Sequence, residues 1–155
     1  MARRFAEPGS LSAVSSTFKT VLLLTGGTTT RPKIFHFVVS TTGAAADGVL
    51  EWIIQRSTAA GTTTAVTPRQ LDATDPSTAV ATAGSNATVE PTYTASSSLF
   101  DEGINQRATY TWNAWTEGAQ LVCTVAASNG IGCATLSSVA PAYTGVANAH
   151  YHHEE

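Results

Sequence analysis

The chain ends in a histidine-rich hexapeptide, HYHHEE, at residues 150–155. Imidazole nitrogens and carboxylate oxygens bind zinc, so a metal site is the first chemistry that these residue types suggest. Strand alternation places His150, His152 and Glu154 on one face, and Tyr151, His153 and Glu155 on the other. Zinc needs two further ligands beyond His150 and His152, and no second Cys or His cluster supplies them. We predict no metal in a single chain; a site shared around a symmetry axis stays open.

As an alternative to a metal site, the hexapeptide reads as the polar end of a last, edge strand. The one internal histidine, His36, lies in the apolar stretch 34–38 and is predicted to be a satisfied strand residue. The sequence lacks the Gly-x-Ser-x-Gly motif that positions a nucleophilic serine in many hydrolases. Adjacent Asp101 and Glu102 would point to opposite faces of a strand, whereas a glycosidase needs two carboxylates that converge on a cleft. We therefore expect no enzyme.

Two other ligand classes also lack their motifs. Asp72 and Asp75 do not have the dense acidic spacing of a calcium loop. Gly26 and Gly27 are followed by three threonines and no lysine, so no phosphate-binding loop is present. The residues therefore predict no cofactor.

Composition narrows the possible partners. The chain has 155 residues, a net charge of −3 and only two lysines, and 12% of its residues are charged. Such a surface has no basic patch for nucleic acid. No apolar run approaches the roughly 18 residues of a membrane-spanning helix, and no export signal is indicated at the start. We expect one soluble domain that binds neither nucleic acid nor membrane.

Short apolar or alternating runs separated by Gly, Pro, Asn, Asp and Thr clusters predict an all-β sandwich or barrel. Residues 1–17 show no periodicity and are predicted to be an extended N-terminal arm ahead of a β domain at 18–155. Residues 57–78 are predicted to be a long connection on an outer face or interface. The predicted strands are 18–24, 33–40, 49–57, 79–83, 99–104, 108–112, 120–126, 131–136 and 147–153.

Alternation along these strands also predicts a core. Trp52 shares a face with apolar neighbours, and Tyr110 and Trp112 share a face of a half-buried strand. Cys123 and Cys133 flank the turn signal at residues 128–130, so a hairpin there would place them opposite each other. A disulfide is conceivable, but two buried free thiols are the favoured interpretation.

Several short motifs, in their order and spacing, resemble those of small virion proteins of tailed phages, similar to the capsid cement or decoration proteins of cyanophage-like heads. The resemblance covers about four fifths of the chain, from Val21 onward. The motifs are Leu50-Glu51-Trp52, the loop 58–62, Thr67-Pro68, Leu71-Asp72, Asp75-Pro76, Glu90-Pro91-Thr92, the stretch 105–110, Asn129-Gly130-Ile131-Gly132 and the final Glu154-Glu155.

The resemblance implies a jelly-roll-like antiparallel β-sandwich without catalytic residues, often a homotrimer. It implies a protein on the outer surface of the virion, assembled in the host cytoplasm, that binds the major capsid protein and stabilises neighbouring capsomers. Exposure and length favour the arm and the long connection as contact elements. The candidate contact residues are Arg3, Arg4, Phe5, Thr64, Pro68, Arg69, Asp72 and Asp75.

Two alternative functions stay open at this point. One is a carbohydrate-binding or receptor-binding β-sandwich, in which Trp115 and Tyr143, both in turn-like contexts, would stack on sugar rings. The other is a head-fibre or tail subunit, which differs from a cement protein in its position on the particle.

Overall fold

The computed structural model describes residues 2–137 and 143–155, and 59% of the chain is β-strand. Two antiparallel sheets pack together, so the prediction of an all-β sandwich is confirmed; a jelly-roll connectivity stays a prediction. Within the described ranges, no helix is both long and apolar enough to cross a membrane. The strands are β1 (Arg4–Leu11), β2 (Lys19–Thr25), β3 (Lys33–Thr42), β4 (Val49–Ala59), β5 (Thr62–Val66), β6 (Arg69–Gln70), β7 (Thr82–Val89), β8 (Thr92–Asn105), β9 (Tyr110–Asn113), β10 (Leu121–Val122), β11 (Gly130–Ser137) and β12 (Val146–Glu154).

The two sheets have six strands each. In sheet A the order is β10-β3-β12-β1-β6, and β9 pairs with β3 beside β10. In sheet B the order is β5-β7-β2-β11-β4-β8. In the middle of sheet A, β1 pairs with β12 over its full length, from Arg4 opposite Glu154 to Leu11 opposite Ala147. This pairing joins the first and last strands of the described chain.

The core lies between the sheets and is built by alternation. In β4, Leu50, Trp52 and Ile54 are buried together, and Trp52 is 1% exposed. Tyr110 and Trp112 of β9 pack against the same core, so both predictions about these aromatic residues are confirmed. Apolar burial between the facing sides of the two sheets is the main force that holds them together.

Small residues let the sheets approach closely where β1 crosses β2. Gly9 faces Leu22, and a Cβ added at Gly9 would lie 2.8 Å from the Leu22 Cβ. Ala147 and Ala149 of β12 are also buried on the inner side of sheet A. The sheets are therefore pressed together at this crossing, and any larger residue at Gly9 would force them apart.

The prediction of an N-terminal arm at residues 1–17 is wrong for residues 4–11, which form the interior strand β1. Phe5, predicted to contact a partner, is 0% exposed. Pro8 and Gly9 made this segment resemble an arm, because both residues are depleted in strands. Pro8 is tolerated because β6 pairs only with Phe5 and Ala6, which leaves that part of β1 with a free edge.

The C-terminal strand also differs from its prediction. β12 lies between β1 and β3, so it is a central strand and not an edge strand. The predicted alternation is confirmed, because Tyr151 and His153 are buried while His150 and His152 are half-buried on the outer side. A charged inner face in a central strand needs internal partners, and these are described below.

The long connection predicted at 57–78 contains strands over nearly half of its length. It holds the end of β4, all of β5 and the short β6, and its longest stretch without a regular element is residues 71–81. β5 pairs with β7, and β6 pairs with β1. Thr and Ser repeats hid these strands, since exposed edge strands lack apolar alternation. For the same reason β8 is longer than predicted, and β7 and β9 lie a few residues later in the chain.

Both cysteines are buried free thiols, as the favoured interpretation predicted. The hairpin prediction is wrong, because β10 pairs with β3 in sheet A whereas β11 lies in sheet B between β2 and β4. The turn at 128–130 therefore belongs to a crossing between the sheets. Burial raises the pKa of the Cys123 thiol to about 12, so this thiol stays protonated at neutral pH.

Replacing Phe5 tests whether β1 is part of the core. Phe5→Ala should lower the free energy of unfolding by about 3 to 5 kcal/mol, because a fully buried aromatic ring leaves a cavity. Ser10→Ala, on the exposed side of the same strand, should change it by less than about 0.5 kcal/mol. Urea unfolding followed by circular dichroism measures both. Equal, small effects of the two substitutions would instead support a loosely attached arm.

Candidate functional site

The most distinctive outer surface lies at the end of sheet A where β1 begins. A bulge interrupts the pairing of β3 with β12, since His152 lies opposite His36 and His153 lies opposite Ile34. The skipped residue, Phe35, is therefore turned to the half-exposed outer side. The Arg4 guanidinium lies 5.7 Å from the centre of the Phe35 ring, a cation–π arrangement.

Arg4 also holds the turn at residues 71–75 against β1. Its backbone carbonyl accepts a hydrogen bond from the Leu71 N–H at 2.8 Å, and its N–H donates to Asp75 Oδ2 at 3.3 Å. Thr74 donates from its N–H and hydroxyl to Asp72 Oδ1 at 2.8 and 2.7 Å. These two bonds lower the pKa of Asp72 below its ordinary value. The hydrogen bonds that shape the turn thus favour the ionised form of Asp72.

Between the turn and β3 lies a cavity of about 420 Å³, which we name the Arg4 groove. Leu71 contributes an apolar side chain that is 47% exposed. Apolar, cationic and acidic groups therefore share one concave surface at the edge of sheet A. The groove is lined by Ala2, Arg4, Phe35, Leu71, Asp72 and Asp75.

A second cavity, of about 470 Å³, lies on the other side of Arg4; we name it the Trp115 cavity. Trp115 follows β9 and is 92% exposed. A short 3₁₀ turn, Glu117–Ala119, continues the wall. Glu154 is the polar centre, since Lys33 Nζ lies 3.6 Å from Glu154 Oε1 and Gln120 Nε2 donates to the same oxygen at 3.0 Å.

Beneath this surface, the inner face of sheet A carries a buried network of charged side chains. His153 Nδ1 is hydrogen-bonded to Glu7 Oε1, and its Nε2 lies 3.4 Å from Glu155 Oε1. All three side chains are fully buried, and the Phe5 ring is stacked on the imidazole at 5.4 Å. Arg3 Nη2 donates to Glu155 Oε2 at 2.9 Å.

Glu155 also ties the network to the β6–β7 connection. The backbone N–H groups of Val80 and Ala81 donate to its two carboxylate oxygens at 3.0 and 2.6 Å. We name the group Glu7, His153, Glu155 and Arg3 the inner charge network. It joins β1, β12 and the segment that leads from the Arg4 groove into β7.

The pKa values of the network follow from burial and from these contacts. Burial alone would lower the pKa of His153, but the hydrogen bonds to Glu155 and Glu7 outweigh it and raise that pKa to about 9. Burial raises the pKa of Glu7, which contact with His153 offsets only in part. Burial would also raise the pKa of Glu155, but bonds from His153, Val80 and Ala81 lower it. The imidazole is therefore a cation at neutral pH.

The remaining histidines form a cluster on the outer face. The ring centres of His36 and His152 are 4.6 Å apart, and those of His150 and His152 are 4.8 Å apart. Asn113 holds His36 through a 2.6 Å hydrogen bond to its Nδ1. Burial and the neighbouring imidazoles lower the pKa of His152 to about 4, and burial and His36 lower that of His150. These two histidines are neutral at physiological pH.

These histidines include His150 and His152, for which a shared metal site was considered from the sequence. Within residues 2–137 and 143–155, no group of three or more His, Cys, Asp or Glu side chains could hold a metal ion. Sequence reasoning treated His36 as a separate residue of an apolar strand, whereas pairing of β3 with β12 brings it to His152. A metal shared by His150 and His152 of several copies stays a prediction.

The structure brings together only some of the predicted contact residues. Arg4, Asp72 and Asp75 share the Arg4 groove, and Arg69 lies beside it in β6, opposite Ala6. The others lie elsewhere. Arg3 is bonded to Glu155, Phe5 is in the core, Thr64 is exposed on the edge strand β5, and Pro68 lines a separate cavity of about 290 Å³ near β7.

The two aromatic residues of the carbohydrate hypothesis also separate. Tyr143 is 3% exposed and its hydroxyl donates to the Thr42 carbonyl at 3.0 Å, so its prediction as a stacking residue is wrong. Trp115 is exposed beside a cavity. The sequence analysis did not identify Lys33, Phe35 or Leu71 as site residues. Leu71 appeared there only within the Leu71-Asp72 motif. No local pattern in the sequence reveals the bulge that exposes Phe35.

No family model matches the chain, and neither the curated proteins nor the solved structures contain a match to it.

A double replacement tests the inner charge network. His153→Phe alone should lower the free energy of unfolding by about 3 to 5 kcal/mol, because Glu7 is left buried without its partner. Replacing both residues, as Glu7→Leu with His153→Phe, should recover most of that loss, since an apolar pair needs no counter-charge. Urea unfolding of wild type, both single variants and the double variant gives the coupling energy. Additive losses would show that the two side chains do not interact.

The pH dependence of stability should carry the signature of His153. Its pKa is raised in the folded protein, so its contribution is complete below about pH 6.5 and is lost as the pH rises towards about 9. The free energy of unfolding should therefore fall between pH 6.5 and 8.5 in the wild type. It should fall equally in His152→Gln, because the pKa of His152 is lowered and lies below this window.

The double variant Glu7→Leu with His153→Phe should show no fall in the same window. Urea unfolding at half-unit pH steps measures all three proteins. A wild-type stability that is constant or rises from pH 6.5 to 8.5 would contradict the assignment.

Proposed function

We propose that this chain is a phage virion structural protein, a capsid cement or decoration protein that binds the outside of the head without catalysing a reaction. Its partner would be the major capsid protein, and it would stabilise neighbouring capsomers. The observation that carries the proposal is the Arg4 groove. There three of the candidate contact residues, Arg4, Asp72 and Asp75, surround the exposed side chain of Leu71.

The groove has the composition of a protein contact. Interfaces are enriched in Arg and in aromatic side chains, and a few residues carry most of the binding energy. Here Arg4 is held over Phe35 and Leu71 is held by its backbone bond to Arg4. Because the Arg4 side chain and the Leu71 backbone are already held in place, less conformational entropy is lost when a partner covers the groove.

The rest of the surface is suited to permanent contact. The edge strands β5 and β8 expose many Thr and Ser side chains. Short side chains lose less rotamer entropy on burial than Lys or Glu, so covering them costs less. A surface with two lysines in the whole chain is therefore compatible with function through contact area.

We further propose a homotrimer with a jelly-roll-like arrangement of the sandwich, as the resemblance implies. Both edges of sheet B are open within the described chain, and the β8 edge carries the exposed charges Asp101 and Glu102. Closed symmetry would cover part of these edges. Native mass spectrometry measures the number of copies directly.

The protein would act through thermodynamic linkage between its own binding and the stability of the assembled shell. A protein that binds only the assembled shell stabilises it by an amount that grows with the logarithm of its free concentration over Kd. Several contacts per oligomer would multiply the effective affinity. No moving part and no bound small molecule is needed for this activity.

Reconstitution on particles tests the proposal. Heads of the encoding phage are prepared without this protein, and purified wild-type, Leu71→Ser or Val89→Ser protein is added. Wild type should bind and raise the temperature at which the heads release DNA. Leu71→Ser should bind at least about tenfold more weakly. Val89→Ser is the matched control, because Val89 is 58% exposed at the end of β7 in the other sheet, and it should bind like wild type.

Two results would contradict the proposal. The first is absence of the protein from purified virions. The second is equal binding by Leu71→Ser and wild type, which would exclude the Arg4 groove as the contact. Immunogold labelling of the tail or of head fibres, with none on the head shell, would favour the alternative of a fibre or tail subunit.

A further inference from the structure

Trp115 is the most exposed large apolar side chain of the described residues, with 92% of its surface open. Neither the core nor the Arg4 groove uses it. Exposure of an indole ring to water is unfavourable, and a ligand that covers the ring would gain hydrophobic free energy of binding. The ring stands at the rim of the Trp115 cavity, whose volume of about 470 Å³ lies in the range of small-molecule sites.

The charges of this cavity balance. Arg4 and Lys33 contribute two positive charges, and Glu117 and Glu154 contribute two negative charges, so the formal sum is zero. The charged groups already neutralise one another, because Lys33 Nζ lies 3.6 Å from Glu154 and 3.8 Å from Glu117. An anion such as a phosphate would meet no uncompensated cation here. The occupant that fits is uncharged.

The other lining groups are hydrogen-bonding side chains. Glu117 is exposed and presents two acceptor oxygens beside Trp115, while Lys33 and Gln120 supply N–H donors. Donors and acceptors that line the same cavity as an exposed aromatic ring match a sugar ring, which has C–H groups on its face and hydroxyls at its edge. A purely apolar ligand would exclude water from these polar groups without offering them hydrogen bonds.

We propose that the Trp115 cavity binds an uncharged glycan, with the indole stacked on a sugar ring and the surrounding polar side chains bonded to its hydroxyls. Glu154 and Arg4 would position the other lining residues. Glu154 holds Lys33 and Gln120 through its carboxylate, and Arg4, which contacts Glu154, forms the wall between this cavity and the Arg4 groove. This binding site goes beyond attachment to a capsid and does not require it. In this site the polar lining residues, and not the buried Tyr143, act together with Trp115.

The test is an array of neutral oligosaccharides of hexoses and N-acetylhexosamines, with sialylated and sulfated glycans printed beside them. Wild-type protein should bind neutral glycans, and the best one is then titrated by isothermal calorimetry. Trp115→Ala should weaken its binding at least about tenfold. Val89→Ala, an exposed apolar residue of sheet B, should bind like wild type. Thermal unfolding of both variants confirms that an exposed position leaves the fold intact.

A second substitution separates hydrogen bonding from stacking. Glu117→Ala should weaken the same titration by several fold, because a hydroxyl loses its acceptor. The proposal is overturned if no neutral glycan binds, if only the charged glycans bind, or if Trp115→Ala binds as tightly as wild type. Since capsid attachment is measured on particles with Leu71→Ser, failure of either proposal leaves the other result readable.

Discussion

Glu7, His153 and Glu155 meet between the sheets, where none of their side chains is exposed to water. Burial of a charged group is costly unless it is paired, so each of these residues depends on the others. Glu155 extends the network to Arg3 and to the N–H groups of Val80 and Ala81. One set of contacts therefore fixes the first strand, the last strand and the connection into β7.

The outer surface follows from this constraint. When Glu7 faces inward, alternation turns Arg4 outward, over Phe35 and beside the 71–75 turn. When His153 faces inward, Glu154 faces outward, where it organises Lys33 and Gln120. The Arg4 groove and the Trp115 cavity thus lie on the reverse side of the strands that carry the inner charge network. Loss of the network would loosen both proposed binding surfaces together.

Alternation made part of the fold predictable from sequence. Trp52 and its apolar neighbours were predicted correctly because the alternation of apolar and polar residues along their strand is visible in the sequence. The same alternation assigned His150 and His152 to one face of β12. β1 was missed because Pro8 and Gly9 are residue types that usually interrupt strands. Both are tolerated here because of distant parts of the chain: the edge of β1 beyond its short pairing with β6 is free, and Leu22 approaches Gly9 closely. Contacts between distant residues leave no local periodicity.

The charge state of His153 tests the inner charge network most directly. Two-dimensional ¹H–¹⁵N NMR of the imidazole nitrogens, recorded from pH 5 to pH 10, reports protonation of this one side chain while the protein stays folded. The account predicts two protonated ring nitrogens at pH 7.5 and a midpoint at a pKa of about 9. A neutral His153 ring at pH 7.5, with a midpoint at or below the ordinary pKa of about 6.5, would contradict it.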